Sequence, residues 1–307
     1  MSTQDNEVLR AYVPRRFNTE ALEAIRRANA IISEYTSKGY SLTVRQLYYQ
    51  HVARGFIENT GQSYSKLAGL INNARLAGLI SWTAIEDRTR SLHGLETVSG
   101  PHELVQKAAL NFRLDLWADQ PWRPEVWVEK EALADVVGRI CGQLRVDFFP
   151  CRGYVSQSEQ WRAGRRLADY IYKGQRPLIL HLGDHDPSGL DMTRDNRDRL
   201  GLFAGTPITV VRLALNRNQI EQYQPPPNPA KVTDSRFEAY QREHGDESWE
   251  LDALNPEVIH NLIDEAIRRV RDEALWSAAL GREASNRQVL QDMISDMTIR
   301  GEDEDEV

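Results

Sequence analysis

Cysteine is nearly absent from this chain. Cys141 and Cys151 are the only two in 307 residues, which gives neither a disulfide framework nor a zinc-ligand set. No uninterrupted apolar run approaches the roughly 18 residues that a membrane span needs. The opening MSTQDNEVLRAY lacks the basic-then-apolar order of a secretory signal. No internal repeat is visible. Excess positive charge is missing as well, since the formal net charge is −7. A protein of the reducing cytoplasm, with no membrane partner, is the simple expectation.

What is present suggests a sizeable folded core. Apolar residues make up 41% of the sequence, and 307 residues suggest about two domains. The charge is unevenly spread. The tail GEDEDEV holds five acidic residues, 302–306, and no basic one, so the rest of the chain is close to −2. Such a tail is expected to be solvated and disordered. Residues 40–100 hold six Lys/Arg (Arg45, Arg54, Lys66, Arg75, Arg88, Arg90) against four Asp/Glu (Glu58, Glu86, Asp87, Glu96). A local basic face matters more for DNA than the overall isoelectric point.

The spacing predicts a first helix from an Asn18 cap to about Tyr35, with Ala21, Leu22, Ile25, Ala28, Ile31 and Ile32 on one face. SLTVRQLYYQHVARG reads as a second helix, capped by Thr43 and stopped by Gly55. SYSKLAGLINNARLAG reads as a third, closed by Gly78, and LISWTAIEDRTR as a short hairpin. Three helices and a small β wing follow the order of a winged helix-turn-helix, whose last helix before the wing enters the major groove. A three-helix pack that binds no DNA is the plain alternative. Arg75 on the third helix, with Arg88 and Arg90 on the wing, are candidate phosphate contacts.

Composition shifts in LWADQPWRPEVWVEKEAL, where Pro121 and Pro124 place a boundary near 118–122. This divides the chain into a winged-helix unit (1–118), an α/β unit (119–300) and the acidic tail (301–307). Beyond the boundary, strands EVWVE, VDFFPC, PLILHLG and ITVVRLAL alternate with helices. Such alternation predicts an α/β fold, a mostly parallel sheet with helices on both faces. QPPPNPAK is an irregular connector, and NPEVIHNLIDEAIRRVRDEALWSAAL one long amphipathic helix.

The chemistry concentrates in LILHLGDHDPSGLDM, where an apolar strand runs into Asp184, Asp186 and Asp191. Functional groups gather beyond the carboxyl ends of strands in open α/β sheets. Residues i and i+2 of an extended segment share a side, so Asp184 and Asp186 are expected to point at one spot. Glu129, closing PEVWVE, is expected to join them from a neighbouring strand. Close carboxylates repel, and a magnesium ion, which takes oxygen ligands, resolves the conflict. The bland alternative makes these aspartates turn and cap residues. His181 and His185 flank the cluster; a histidine beside a carboxylate could ligate a metal, but they read rather as satisfied or exposed side chains. Lys130, next to Glu129, is a candidate phosphate contact. Lys231, Asp234 and Arg236 form a charged group that suits either DNA or an internal ion pair.

VWVEKEAL followed by LHLGDHDPSGLDM resembles the TOPRIM domain of topoisomerases and primases. More narrowly, the chain resembles the topoisomerase VI A-subunit family, which includes the meiotic double-strand-break protein. The resemblance covers about residues 40–270, and is nearest to the compact stand-alone Mini-A type of mobile elements. It implies a CAP-like winged helix followed by a TOPRIM domain, with magnesium on Glu129, Asp184 and Asp186. The family's attacking tyrosine lies in an Arg-x-x-(Tyr/Phe)-Tyr helix, which TVRQLYYQ matches with Arg45, Tyr48 and Tyr49, Tyr49 being the nucleophile. Without the resemblance, Tyr48 and Tyr49 read as helix-core aromatics.

The resemblance implies magnesium-dependent double-strand cleavage through a 5′-phosphotyrosyl link. Duplex DNA is the substrate, and a homodimer supplies two tyrosines, each meeting the other subunit's metal site. Nothing in the chain resembles the family's ATPase, which would be a separate partner. Arg45 lies one turn before Tyr49 and is expected to steady the phenolate or hold the scissile phosphate. Two alternatives stay open: a hydrolytic TOPRIM nuclease with Tyr49 idle, and a DNA-binding subunit inactive without a partner. A nucleoid-associated or mobile-element setting accompanies the expected cytoplasmic location.

Overall fold

The computed structural model describes residues 9–85 and 97–304. Its first layer is helical: α1 (Thr19–Ser37), α2 (Val44–Ala53) and α3 (Gly61–Leu76). Local chemistry starts each helix. Asn18 Oδ1 accepts from Ala21 N at 2.8 Å. Thr43 and Gln46 form a reciprocal capping box, with bonds of 3.2 and 3.0 Å. Thr60 Oγ1 accepts from Ser63 N at 3.1 Å. Ile25, Ala28, Ile31, Ile32 and Tyr35 of α1 pack with Leu47, Tyr48, Tyr49, Leu67 and Ile71. Leu22, expected on the same face, is 43% exposed and lies outside this core.

The first limb of the expected hairpin is not a strand. Residues 79–85 form turns and a single bridge between Leu42 and Ile85. Arg75 Nη2 donates to the carbonyls of Trp82 (2.7 Å) and Ile85 (3.2 Å), and Ser81 Oγ accepts from Thr83 N at 3.1 Å. These side-chain bonds satisfy the backbone locally and compete with a β ladder. The remainder of the expected wing, with Arg88 and Arg90, lies outside the described residues. A further helix, α4 (Pro101–Asn111), opens on a proline at its first turn.

Four strands follow: β1 (Trp122–Val128), β2 (Asp147–Pro150), β3 (Arg176–Leu182) and β4 (Thr209–Ala214). They form one parallel sheet in the order β2-β1-β3-β4. Helices α5 (Ala134–Leu144), α6 (Gln157–Tyr172) and α7 (Pro187–Ala204) connect them. The period-two alternation of side chains sorts the strand residues between two cores. Val126, Val128, Leu178, Leu180 and Leu182 pack with α5 on one face. Trp127, Ile179 and Val210 pack with Ala163 and Leu167 of α6 and Leu200 of α7 on the other. Being parallel, all four strands deliver their carboxyl ends to one edge.

The chain then runs through α8 (Arg217–Tyr223), α9 (Phe237–His244) and a two-residue antiparallel pair, β5 (Asn228–Pro229) with β6 (Glu247–Ser248). The expected single C-terminal helix is two, α10 (Pro256–Arg268) and α11 (Glu273–Glu304). Asp272 breaks it by capping the second, accepting from Ala274 N at 2.9 Å and Leu275 N at 3.0 Å. Helix α11 continues into the acidic segment expected to be disordered, as far as Glu304. Among the described residues, no helix is long and apolar enough to cross a membrane.

Candidate active site

Strands β1 and β3 are neighbours, with Val128 opposite Leu182. Glu129 N donates to Leu182 O at 2.8 Å, so Glu129 and the 183–186 loop leave the sheet side by side. Glu129 Oε2 accepts from Asp184 N at 2.9 Å. Asp184 Oδ1 accepts from Leu251 N at 2.8 Å, and its Oδ2 faces Lys130 Nζ at 3.0 Å. Asp186 Oδ1 instead accepts from Gly189 N at 2.6 Å and Ser188 Oγ at 2.9 Å, capping α7. Asp184 and Asp186 thus keep separate hydrogen-bond partners, while both carboxylates lie within electrostatic reach of Glu129.

A half-buried arginine from β4 holds the loop from behind. Arg212 Nη1 donates to Gly189 O (2.8 Å) and Thr193 Oγ1 (3.0 Å), and Nη2 to Gly183 O (3.0 Å) and Asp184 O (2.5 Å). Burial lowers the Arg212 guanidinium to about 10, although Glu129, Asp184 and Asp186 favour its charge. Burial raises the Asp184 carboxyl to about 7, Lys130 opposing and Glu129 adding to the rise. Burial also raises Glu129, and the Asp186 charge acts in the same direction.

A second acidic pair, which the sequence reading passed over, completes the cluster. Glu250 and Asp252 flank Leu251 at the start of a short 3-10 turn (Leu251–Ala253). Lys130 Nζ lies 2.9 Å from Glu250 Oε2 and 3.0 Å from Asp252 Oδ1. Burial works against this ammonium, but Asp184, Asp252 and Glu250 outweigh it and raise its pKa. Across the gap, Arg45 Nη2 meets Glu250 Oε2 at 2.5 Å and Arg45 Nε meets Asp252 Oδ2 at 3.1 Å. The same Nη2 lies 3.5 Å from the Tyr49 hydroxyl. Lys130, expected to reach DNA phosphate, is thus turned inward.

Tyr49 is 4% exposed. Burial raises its pKa, the charges of Asp252 and Glu250 raise it further, and Arg45 offsets only part of this. The phenol is protonated at neutral pH. Burial works to raise Glu250, but Lys130, Tyr49 and Arg45 overcome it and hold the carboxyl down at about 2. Burial raises Asp252 against Lys130 and Arg45. A cavity of about 230 Å³ opens on the pair, lined by Arg45, Tyr48, Tyr49, Asn59, Thr60, Gly61, Tyr64, Asn228 and Glu250. Tyr48 donates to Asn59 Oδ1 (3.0 Å) and Thr60 O (3.1 Å), a structural use of its hydroxyl.

Other candidates are engaged elsewhere. Arg75 lies over the Trp82 ring at 4.4 Å and braces residues 82–85, so its guanidinium serves the fold. His181 Nδ1 meets Thr193 Oγ1 at 2.8 Å, and burial lowers its pKa to about 3. His185 Nδ1 meets Leu215 O at 3.1 Å, and burial lowers it to about 4. Asp191 accepts from Tyr154 (2.6 Å) and pairs with Arg194 (2.7 Å) and Arg236 (3.0 Å). Arg236 also pairs with Asp234 at 3.1 Å, which favours the internal ion-pair reading, and Lys231 is exposed.

Charge decides whether a divalent ion suits this place. Glu129, Asp184, Asp186, Glu250 and Asp252 face Lys130, Arg212 and Arg45. Five carboxylates against three cations leave two negative charges unmatched when all are ionised, and the donors are oxygens of the kind magnesium takes. The residues therefore fit the ion in donor type and charge. Among the described residues, however, no three or more His, Cys, Asp or Glu are gathered as a ready ligand group. A second acidic pair at i, i+2 spacing, Glu-x-Asp in WELDAL, was the available signal for Glu250 and Asp252. Arg212, in an ordinary strand pattern, gave none. No protein-family model matches this chain, and no curated protein matches it.

Proposed function

We propose that this protein is a topoisomerase VI A-like enzyme that cuts duplex DNA by transesterification through Tyr49, as a dimer and with magnesium. On this reading the N-terminal helices are a winged-helix DNA-binding unit and the parallel sheet is of TOPRIM type. One observation supports it: within one chain, and not across two subunits as the resemblance implies for the cutting dimer, the Arg45–Tyr49 helix is joined through Glu250 and Lys130 to the strand-end carboxylates. A nucleophile-bearing helix and an acidic strand edge, about 80 residues apart in sequence, meet in one charged network.

The chemistry follows from these groups. The Tyr49 oxygen forms a bond to phosphorus as its proton leaves, and the bond from phosphorus to the 3′-oxygen breaks. The 3′-oxygen takes up a proton, and the 5′-phosphotyrosyl ester keeps the bond energy for resealing. Arg45 is the cation beside the phenol and favours its charged form. Its planar fork also suits a phosphate oxygen pair. Magnesium, held by Glu129, Asp184 and Asp186, would supply positive charge to the DNA backbone and the leaving oxygen. Two cuts need two copies of Tyr49, hence a dimer, and ATP-driven strand passage would need a separate ATPase subunit.

The burial and raised pKa of Tyr49 favour a second reading, a hydrolytic nuclease that uses the same carboxylates and water. Supercoiled plasmid with magnesium separates the two, wild type beside Tyr49→Phe, stopped with detergent and split with and without protease. Linear DNA with protein on its 5′ ends, absent in Tyr49→Phe, is the expected result. Protein-free cuts that survive in Tyr49→Phe would establish hydrolysis instead. No cutting by either protein would leave a DNA-binding subunit that needs a partner.

A further inference from the structure

Glu250 and Asp252 have no part in the reaction as written, yet they sit where the network joins. Glu250 Oε2 meets Arg45 at 2.5 Å and Lys130 at 2.9 Å, and the same Arg45 Nη2 lies 3.5 Å from the Tyr49 hydroxyl. The Asp252 side chain, 0% exposed, meets Arg45 at 3.1 Å and Lys130 at 3.0 Å. These contacts tie α2 to the residue after Glu129. Burying carboxylates costs stability unless good partners meet them, and apolar packing would hold the same surfaces together more cheaply. Ala253 already packs among the cores of α1 to α3. Two acids kept at such a joint need another reason.

We propose that Glu250, backed by Asp252, is a positioning residue that latches Arg45 and Tyr49 onto the acidic cluster of their own chain, and that a DNA phosphate releases the latch by taking Arg45. The proposal rests on the reading of Tyr49 as the attacking group. A guanidinium fork matches carboxylate and phosphate alike, so a phosphodiester competes for the donors that Glu250 and Asp252 occupy. Arg45 is the accessible member of the latch, with 48% of its side chain exposed. Without DNA, Glu250 holds Arg45 inward and keeps the proton on Tyr49. With phosphate at Arg45, Glu250 retains Lys130, and the phenol is free to turn to the backbone.

The test needs no cleavage. Full-length wild type, Glu250→Gln and Glu250→Asp are treated with tetranitromethane in EDTA, and nitrated peptides are quantified by mass spectrometry. Tyr172, 93% exposed, is the internal reference. Tyr49 nitration, slow in wild type, is expected to rise roughly tenfold in Glu250→Gln, as Arg45 is released and the negative charge that keeps the phenol protonated is lost. Glu250→Asp keeps the charge but is one methylene short, so an intermediate rise is expected. Fluorescence anisotropy with a short labelled duplex then gives affinity. Glu250→Gln is expected to bind several-fold more tightly, and the gain is expected to vanish when Arg45→Gln is added. Unchanged Tyr49 nitration in both variants, with native near-UV circular dichroism, would overturn the latch, as would a gain in affinity that survives Arg45→Gln. If nitration and affinity respond as stated but no phosphotyrosyl link ever forms on plasmid, the transesterase reading falls and the latch stands.

Discussion

At Gly189 a Cβ would lie 2.2 Å from the Asp184 carbonyl oxygen and 3.1 Å from Glu129 Oε2. The first contact is with backbone, which cannot swing aside. Gly189→Ala is therefore expected to cost about 2 kcal/mol, by the usual scale of overpacking, and to disturb the carboxylates with it. Gly69, in α3, has open space around its Cβ position. Gly69→Ala is expected to stabilise the protein by about 0.8 kcal/mol, the helix-propensity difference. Urea unfolding of the two variants reads both signs. His181 supplies a pH dependence. Its folded pKa, about 3, lies below the unfolded 6.5, so the folded state binds fewer protons. Its contribution is fully present above pH 6.5 and is lost progressively as pH falls toward 3. The His181 imidazole resonances are expected to stay unshifted as pH is lowered from neutral to about 5, against the midpoint of a solvated histidine.

Helix α2 places Arg45 and Tyr49 within two turns of its capping box. Thr43→Ala is expected to lower stability by about 1 kcal/mol, Thr43→Ser by much less, as thermal unfolding will show. Fraying from this end would reach the candidate site first. Caps of this kind were legible because they are local: Asn18, Thr43 and Gly78 each carry their instruction within a few residues. The helix break before α11 was not. The apolar spacing runs on through Val270, but Asp272 N donates to Gln120 Oε1 at 2.7 Å and Gln120 Nε2 donates to Asp272 O at 2.9 Å. The Asp272 cap is local, but a residue about 150 positions away holds its backbone in place. The hairpin reading failed in its described part for a related reason. The β-branched residues of LISWTAI suit a strand, yet Arg75 and Ser81 hydrogen-bond the backbone at Trp82, Ile85 and Thr83.

Across the whole molecule, the two negative charges left unmatched when the cluster is fully ionised give the magnesium expectation a direct test. An ion that binds only the folded state at ten times its dissociation constant stabilises by about 1.4 kcal/mol. Calorimetric melting is expected to shift upward in magnesium relative to EDTA, without DNA, and Glu129→Gln is expected to abolish the shift. No shift in wild type would show that these carboxylates hold no divalent ion by themselves. The sequence alone determined the alternation of strands and helices, and hence that Glu129 and Asp184 stand at strand ends. It also determined that Arg45 and Tyr49 share a helix face, because periodicity is a short-range property of the backbone. Only the tertiary structure decided that β1 and β3 are neighbours, that Asp186 caps α7, and that Arg212 braces the loop. It alone brought Glu250 and Asp252 between Lys130 and Arg45. The physical reason is that pairing of charges across the fold depends on which surfaces pack together, and such pairing leaves no periodic trace along the chain.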